Sequence, residues 1–187
     1  ILDNAYDVAT SIKNADIVFS KKPEVFLEFQ ADAKVNAMIG KKASELGVFV
    51  IGIDVPIPGF PFMGINNYGT SVLVGQWAAE QIETKLGGWD NIDRVFYLWS
   101  PSIGETVALR MWGAVDTFVE KFGESADPRI EGTKGTLVDS GSTTETTQKA
   151  MTDILAKYPD AKNIVTFCLN EEAGAGVQAA AEIAGRW

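Results

Sequence analysis

The feature that most limits the fold of this chain is a series of short, uninterrupted apolar runs. Residues 48–54 (Val-Phe-Val-Ile-Gly-Ile-Asp), 94–99 and 163–169 are apolar at nearly every position, and longer segments with helical periodicity lie between them. A strand without polar alternation is buried on both faces, which is typical of a parallel sheet covered by helices. Strands that alternate with helices form βαβ units. The sequence therefore predicts an α/β fold with parallel sheets and helices on both faces.

The boundaries of the predicted elements follow from this alternation. Asp32 is the expected N-cap and Gly47 the expected stop of one helix, whose apolar residues recur at helical spacing. The predicted strands are 16–20, 48–54, 63–65, 94–99, 132–138 and 163–169, and the predicted helices are 32–46, 67–86, 103–122, 143–158 and 171–184.

The chain is expected to divide near Ile65-Asn66, into residues 1–65 and residues 66–187. The strand at that point is short, and a regular series of βα units begins after it. The first residue is not Met, and the last residues, 184–187, end in what looks like the middle of a fold. We therefore expect these 187 residues to be a piece of a longer protein.

Composition excludes several classes of active site. The chain has no histidine, which excludes a Ser-His-Asp triad and His-ligated zinc. Cys168 is its single cysteine, so neither an intramolecular disulfide nor a cysteine cluster can form, and we expect a small buried side chain. The dinucleotide-binding motif G-x-G-x-x-G does not follow the strand 48–54, and the phosphate-binding motif G-x-x-x-x-G-K-[ST] does not occur. We predict no catalytic residue, no cofactor and no metal site.

Net charge narrows the range of ligands. The 25 acidic residues outnumber the 16 basic residues, which gives a net charge of −9. Binding to nucleic acid needs clustered Lys and Arg, so nucleic acid is not an expected partner. The same excess of negative charge disfavours an anionic ligand. A neutral ligand matches this charge best.

Short polar side chains follow the predicted strands. In open parallel sheets, ligands bind beyond the carboxyl ends of the strands. The side chains expected there can donate and accept hydrogen bonds, but none is a nucleophile paired with a base, so they suit a neutral polyhydroxyl ligand. They are Asp54, Asn66, Asn67, Ser100, Ser102, Ser140, Ser142 and Asn170.

Helix capping is the competing explanation for several of these side chains. Asp54 has no such explanation, because Val55-Pro56 follows it and no helix begins there. A buried carboxylate needs partners, and ligand hydroxyls would supply them. The residues that a cap would explain are Ser102 and Ser142, each three positions before a glutamate as in the capping box, and Asn67 and Asn170 as simple N-caps.

Two other features have two interpretations each. Arg110 lies in the predicted helix 103–122, where it is either a solvated surface charge or a side chain that reaches into a binding cleft. The aromatic loop Phe60-Pro61-Phe62 is either a lid over such a cleft or a plug in the core.

Three segments also follow one another in a familiar order. They are 48–54 followed by Gly64-Ile-Asn-Asn-Tyr68, then Gly104 to Gly113, then Thr166-Phe-Cys-Leu-Asn-Glu-Glu172 with a Gly/Ala-rich helix after it. In order and spacing they resemble the motifs of ribose-type periplasmic sugar-binding proteins, across almost the whole chain. The resemblance implies the two-lobe periplasmic-binding-protein type I fold, incomplete here at both termini and without its first strand, first helix and second strand.

The resemblance also implies specific ligand contacts. Asp54, Arg110 and Asn170 match positions at which the family contacts sugar. Ser142 falls where many members place an aromatic ring that stacks on the sugar. Val55 replaces the arginine that ribose binders carry after the aspartate, so ribose is not the expected ligand.

The function implied by the resemblance is that of the solute-binding component of a bacterial ABC importer. Such a protein binds a neutral monosaccharide or polyol between two lobes and docks on the membrane subunits of the importer. It is periplasmic, or it is an extracellular membrane-anchored lipoprotein in a Gram-positive bacterium. Ile65 and Asn66 fall at the family's first crossover between lobes and are the expected hinge.

Two other classes of function stay open. The effector-binding domain of a sugar-responsive repressor of the lactose-repressor (LacI) type shares this fold, and a DNA-binding headpiece upstream would identify it. An α/β hydrolase that uses acidic residues is the third, although only Asp54 is placed for such chemistry. Because one βαβ unit is expected to be absent, an open sheet edge would also favour self-association of the piece.

Overall fold

The computed structural model describes residues 1–5, 7–101 and 104–187. They form two compact units. The first unit consists of Ile1–Asn66 with Ile103–Val107, and the second consists of Asn67–Ser102 with Ala108–Trp187. Each unit contains a three-stranded parallel sheet with helices packed against it.

The sheet of the first unit has the strand order β1-β2-β3, which places β1 and β3 at its edges. All of its strands are parallel, with Val25 opposite Phe49 and Gly52 opposite Phe62. Self-association through such an edge stays a prediction. The elements are α1 (Val8–Ser20), β1 (Val25–Glu28), α2 (Ala33–Leu46), β2 (Phe49–Ile53) and β3 (Phe62–Met63).

The strand predicted at 16–20 is wrong, because these residues are the end of helix α1. The Asp7 side chain accepts a hydrogen bond from the backbone N–H of Thr10 and caps the helix. Ser11, Ala15 and Phe19 are buried at a spacing of four residues, which is one helical face. The true strand, β1, escaped prediction because it has only four residues and carries a glutamate on its buried face.

Helix α2 is confirmed with both of its predicted ends. The Asp32 carboxylate accepts hydrogen bonds from the N–H groups of Lys34 and Val35, at 2.8 and 3.0 Å. Gly47 ends the helix in the left-handed conformation at φ 68°. The buried apolar residues that α1 and α2 share with the sheet form one core, which includes Phe19, Phe26, Val35, Ile39, Val50 and Ile57.

The second unit matches its predicted pattern of strands and helices closely. Its strand order is β5-β4-β6, so β4 is bonded on both sides and is buried over most of its length. The strand predicted at 132–138 begins only at Gly135. The elements are α3 (Asn67–Lys85), β4 (Arg94–Trp99), α4 (Glu105–Phe122), β5 (Gly135–Asp139), α5 (Thr144–Lys157), β6 (Ile164–Cys168) and α6 (Glu171–Ile183), with short 3₁₀ turns at Trp89–Asn91 and Glu124–Ala126.

Aromatic side chains fill one face of this second sheet. Tyr97 and Phe167, on neighbouring strands, stack with their ring centroids 5.3 Å apart, and Phe118 of α4 meets Phe167 edge-on at 4.9 Å. Cys168 packs against the apolar cluster on the opposite face. Burial raises the pKa of the Cys168 thiol to about 11, which leaves it protonated at neutral pH and unsuited to nucleophilic attack. In the described part of the chain, no helix has the length and apolar composition of a membrane span.

Glu28 is an unusual residue in the first unit. It is 6% exposed, and its Oε1 atom has no hydrogen-bond partner among the described residues. It lines a cavity of about 720 Å³ beside β1, together with Asn4, Asn14 and Gln30. Because burial disfavours the charged form, the pKa of Glu28 rises from 4.5 to about 7.

We predict that Glu28→Gln stabilises the chain above pH 7. A carboxyl whose pKa is higher in the folded state binds more protons when folded, so its effect on stability becomes less favourable as pH rises from about 4.5 through 7. At pH 8 the substitution should raise the free energy of unfolding by roughly 1–3 kcal/mol, and at pH 4 the difference should be small. Urea denaturation across this pH range measures the effect. The control is Glu24→Gln at an exposed position, and equal behaviour of the two variants would contradict the prediction.

Candidate ligand-binding site

Asp54 lies directly beyond the carboxyl end of β2 and is held in a strained conformation. Its φ of 57° is in the left-handed region, which residues other than glycine rarely adopt. Its N–H donates to the carbonyl of Met63 at 2.9 Å, which ties it to the end of β3. A Cβ atom on Gly64 would lie 2.9 Å from the Asp54 Cα, so the close approach at this point requires glycine.

The loop after Asp54 is anchored in the core of the first unit. Val55 and Ile57 are buried, and Phe60 packs against the core and meets the Phe49 ring edge-on at 6.5 Å. Of the two interpretations of this aromatic loop, Phe60 therefore fits the plug in the core. Phe62 belongs to β3 and is exposed. No helix begins after Asp54, and its half-buried carboxylate can accept hydrogen bonds from more than one hydroxyl.

Arg110 lies in the second turn of α4 and is half-buried. Its Nε–H donates to Oδ1 of Asn67 at 2.8 Å, and Asn67 itself is 5% exposed. This bond fixes the plane of the guanidinium group, which carries four further N–H donors. A fixed planar fork of donors is suited to bind vicinal hydroxyls or a carboxylate.

The prediction that Asn67 caps a helix is wrong. Asn67 is the first residue of α3, and its side chain accepts the hydrogen bond from Arg110. The two residues are 43 positions apart, so local spacing could not reveal the pair. Asn67 thus orients Arg110, a partner that the sequence analysis did not identify.

Asn170 and Ser142 are brought together at the carboxyl ends of β6 and β5. The Asn170 Nδ2 group donates to the Ser142 carbonyl at 3.0 Å, and its Oδ1 accepts from the N–H of Ala173 at 2.9 Å. Asn170 is therefore the N-cap of α6, as the capping interpretation predicted. One N–H and one lone pair of its amide are left for a ligand, so a cap and a ligand contact are compatible.

The capping box predicted for Ser142 and Glu145 is wrong by one residue. The cap of α5 is Thr143, which exchanges hydrogen bonds with Thr146. Ser142 has φ 88°, and Gly141 before it has φ 74°, whereas an N-cap residue needs the extended conformation. The second predicted box, at Ser102, lies outside the described residues.

The expected hinge residues occur where the first unit ends. Asn66 is the last residue of that unit's longer segment, and Ile65 before it is half exposed. In the described part of the chain, no group of three His, Cys, Asp or Glu side chains is arranged to hold a metal ion.

The whole chain, residues 1–187, matches the family model described as "periplasmic binding protein domain". The chain belongs to this family. Its members are substrate-binding proteins of a non-catalytic kind. No curated protein matches the chain in sequence.

Solved structures show the same fold. The Caulobacter myo-inositol binding protein, bound to myo-inositol, matches with a TM-score of 0.77 at 20% identity, over 96% of this chain and 57% of that one. The solute binding protein of an ABC transporter from Actinobacillus succinogenes, with bound D-allose, gives 0.72 at 21% identity, over 93% and 59%. The arabinose binding protein of Geobacillus stearothermophilus gives 0.69 at 21%, over 96% and 57%.

These likenesses establish the periplasmic-binding-protein type I fold, as the resemblance implied. The chain spans 57–59% of the length of those three structures, which agrees with a piece of a longer protein.

We predict that Asn170→Ala destabilises the second unit. The substitution removes the cap of α6 and the donor to the Ser142 carbonyl, so the free energy of unfolding should fall by about 1–2 kcal/mol. Asn170→Asp keeps the acceptor for the Ala173 N–H and loses only the donor, so it should retain part of the stability. Thermal and urea denaturation measure both variants. An alanine variant as stable as the parent protein would contradict the assignment.

Proposed function

We propose that this chain is part of the solute-binding component of an ABC importer, and that the solute is a neutral monosaccharide or polyol. The observation that carries the proposal is Asp54. It is a half-buried carboxylate beyond the carboxyl end of a parallel strand, held at a positive φ with no helix to cap. Ligands of open α/β sheets bind at this place, and hydroxyl groups are good donors to a carboxylate.

Arg110 and Asn170 supply the complementary groups in the proposal. Sugar hydroxyls both donate and accept hydrogen bonds, so a sugar site needs acceptors and donors together. Asp54 offers acceptors, Arg110 offers the N–H groups that its bond to Asn67 leaves over, and Asn170 offers one of each. Ser142 is included because its carbonyl accepts a hydrogen bond from Asn170 at the same edge of the sheet.

A neutral ligand is supported by charge and by the ligands of similar proteins. The chain carries a net charge of −9, and an anion would meet the carboxylate of Asp54. Two of the similar structures named above hold myo-inositol and D-allose, and the third is that of an arabinose binding protein. These are neutral polyhydroxyl molecules.

The proposed mechanism is closure of two lobes over the ligand. Residues 1–65 would belong to the N-terminal lobe, residues 66–187 to the C-terminal lobe, and Ile65-Asn66 to the hinge. A ligand that contacts both lobes favours the closed state, since it binds that state more tightly. The closed protein would then dock on the membrane subunits, in the periplasm or at the outer face of a Gram-positive cell.

We predict that Asp54→Ala, in the full-length protein, weakens binding of its sugar by 2–4 kcal/mol, on the order of what a lost charged hydrogen bond costs. Isothermal titration calorimetry against myo-inositol, D-allose and arabinose measures the loss. The matched control is Asp160→Ala, which removes an exposed carboxylate before the amino end of β6 and should bind like the parent protein. Parent-like affinity of the Asp54 variant would remove Asp54 from the site.

We predict that ligand binding is insensitive to salt and selective for neutral molecules. Screening weakens attraction between charges but leaves hydrogen bonds to neutral hydroxyls nearly unchanged. A thermal-shift screen of the three sugars and polyols, each with its phosphate ester, at low and high NaCl tests both points. Stabilisation by the phosphate esters alone would contradict the proposed ligand class.

A further inference from the structure

The loop that follows Asp54 folds back onto the strand it has just left. Val55 and Ile57 are each 2% exposed, so their side chains anchor the loop in the core. A Cβ atom on Gly52 would lie 2.8 Å from the Val55 carbonyl oxygen and 3.2 Å from the Ile57 nitrogen. The loop backbone therefore packs directly on β2, at a place where only glycine leaves room.

Helix α2 packs against the same loop, which therefore lies between β2 and α2. A Cβ atom on Gly40 would lie 3.0 Å from both Cγ2 of Ile57 and the carbonyl oxygen of Pro58. Asn36, one turn earlier on the same helix face, donates from Nδ2 to the Pro56 carbonyl at 3.4 Å and to the Gln30 carbonyl at 2.8 Å. Two positions of α2 thus contact three consecutive residues of the loop.

Neither residue is explained by the needs of the helix. Glycine in a helix interior costs about 1 kcal/mol relative to alanine. Asn36 is fully buried, and its Oδ1 has no hydrogen-bond partner among the described residues, which is also unfavourable. Both costs are accounted for if the two positions serve the loop, one by allowing close approach and the other by donating to its backbone.

We propose that Asn36 and Gly40 are positioning residues that hold the Asp54 carboxylate in place for the ligand. They fix the loop at Pro56 to Pro58, which follows Asp54 directly, while Met63 and Gly64 contact Asp54 itself. The proposal rests on the proposed role of Asp54 in binding, and it adds a reason why that carboxylate keeps its position before a ligand arrives.

The first test measures the loop without a ligand. In the full-length protein, Gly40→Ala should accelerate amide hydrogen exchange at Asp54 and Phe60, whose N–H groups bond within this region, by at least about tenfold. Exchange at Val48, which bonds to Ala43 at the end of α2, should not change. Asn36→Ala should act in the same direction. Unchanged exchange at Asp54 and Phe60 in both variants would overturn the proposal.

The matched control is Gly174→Ala. Gly174 is also a helical glycine, in α6, but a Cβ atom there would meet nothing within 4 Å. This variant should leave exchange at Asp54 and Phe60 unchanged. Acceleration at these two amides by the control as well would mean that the effect is global, and it would overturn the proposal.

The second test separates positioning from a general structural effect. Affinity is measured for whichever of myo-inositol, D-allose and arabinose binds most tightly. Gly40→Ala should weaken binding about tenfold when Asp54 is present and less than about twofold in the Asp54→Ala background, because coupled residues are not additive. Equal losses in both backgrounds would overturn the positioning role. If none of the three binds, the proposed ligand class fails, while the exchange rates still decide whether α2 fixes the loop.

Discussion

The organisation of both units depends on a central strand that is hydrogen-bonded on both sides. β2 lies between β1 and β3, and β4 lies between β5 and β6. β4 is buried over most of its length and β2 is buried at Val50 and Gly52, and in both strands apolar residues fill the interior while polar residues follow the carboxyl end. The polar side chains of the candidate site lie at strand ends for this reason, and the parallel direction of the strands brings the ends in each unit to one edge.

Polar residues at these strand ends already form hydrogen bonds within the protein before any ligand binds. Asn170 caps α6 and holds the Ser142 loop, and Asn67 orients Arg110. A side chain that is already bonded on one side has few orientations left, so a ligand would lose less conformational freedom in binding to it. Structural and ligand-binding explanations of such residues are therefore compatible, and the same amide can serve both.

Much of the fold could be predicted from the sequence because three of the strands are apolar at nearly every position. β2, β4 and β6 were placed to within a residue or two, and so was helix α2 with its Asp32 cap. The prediction of strands failed where the apolar segment was short or compatible with a helix. Residues 16–20 are apolar enough for a strand, but a cap nine residues earlier makes them helical, and β1 has only four residues.

The candidate site was predictable in position but less so in its partners. The ends of the strands could be located, whereas the bond between Arg110 and Asn67 joins residues far apart in sequence. The cap at Thr143 depends on the positive φ of Ser142, and a serine at that position does not predict this conformation. The loop after Asp54 packs against Asn36 and Gly40, and nothing in the sequence distinguishes these two from other helix positions.

The buried carboxyl of Glu28 has a consequence for how this chain exchanges protons with its surroundings. With no histidine in the sequence, ordinary carboxyl groups are ionised well below neutrality and lysines lose their protons well above it. Among the described side chains, Glu28 is the one whose pKa burial raises into the neutral range. Protonation of Glu28 would therefore link proton uptake near neutral pH to the solvation of this interior site.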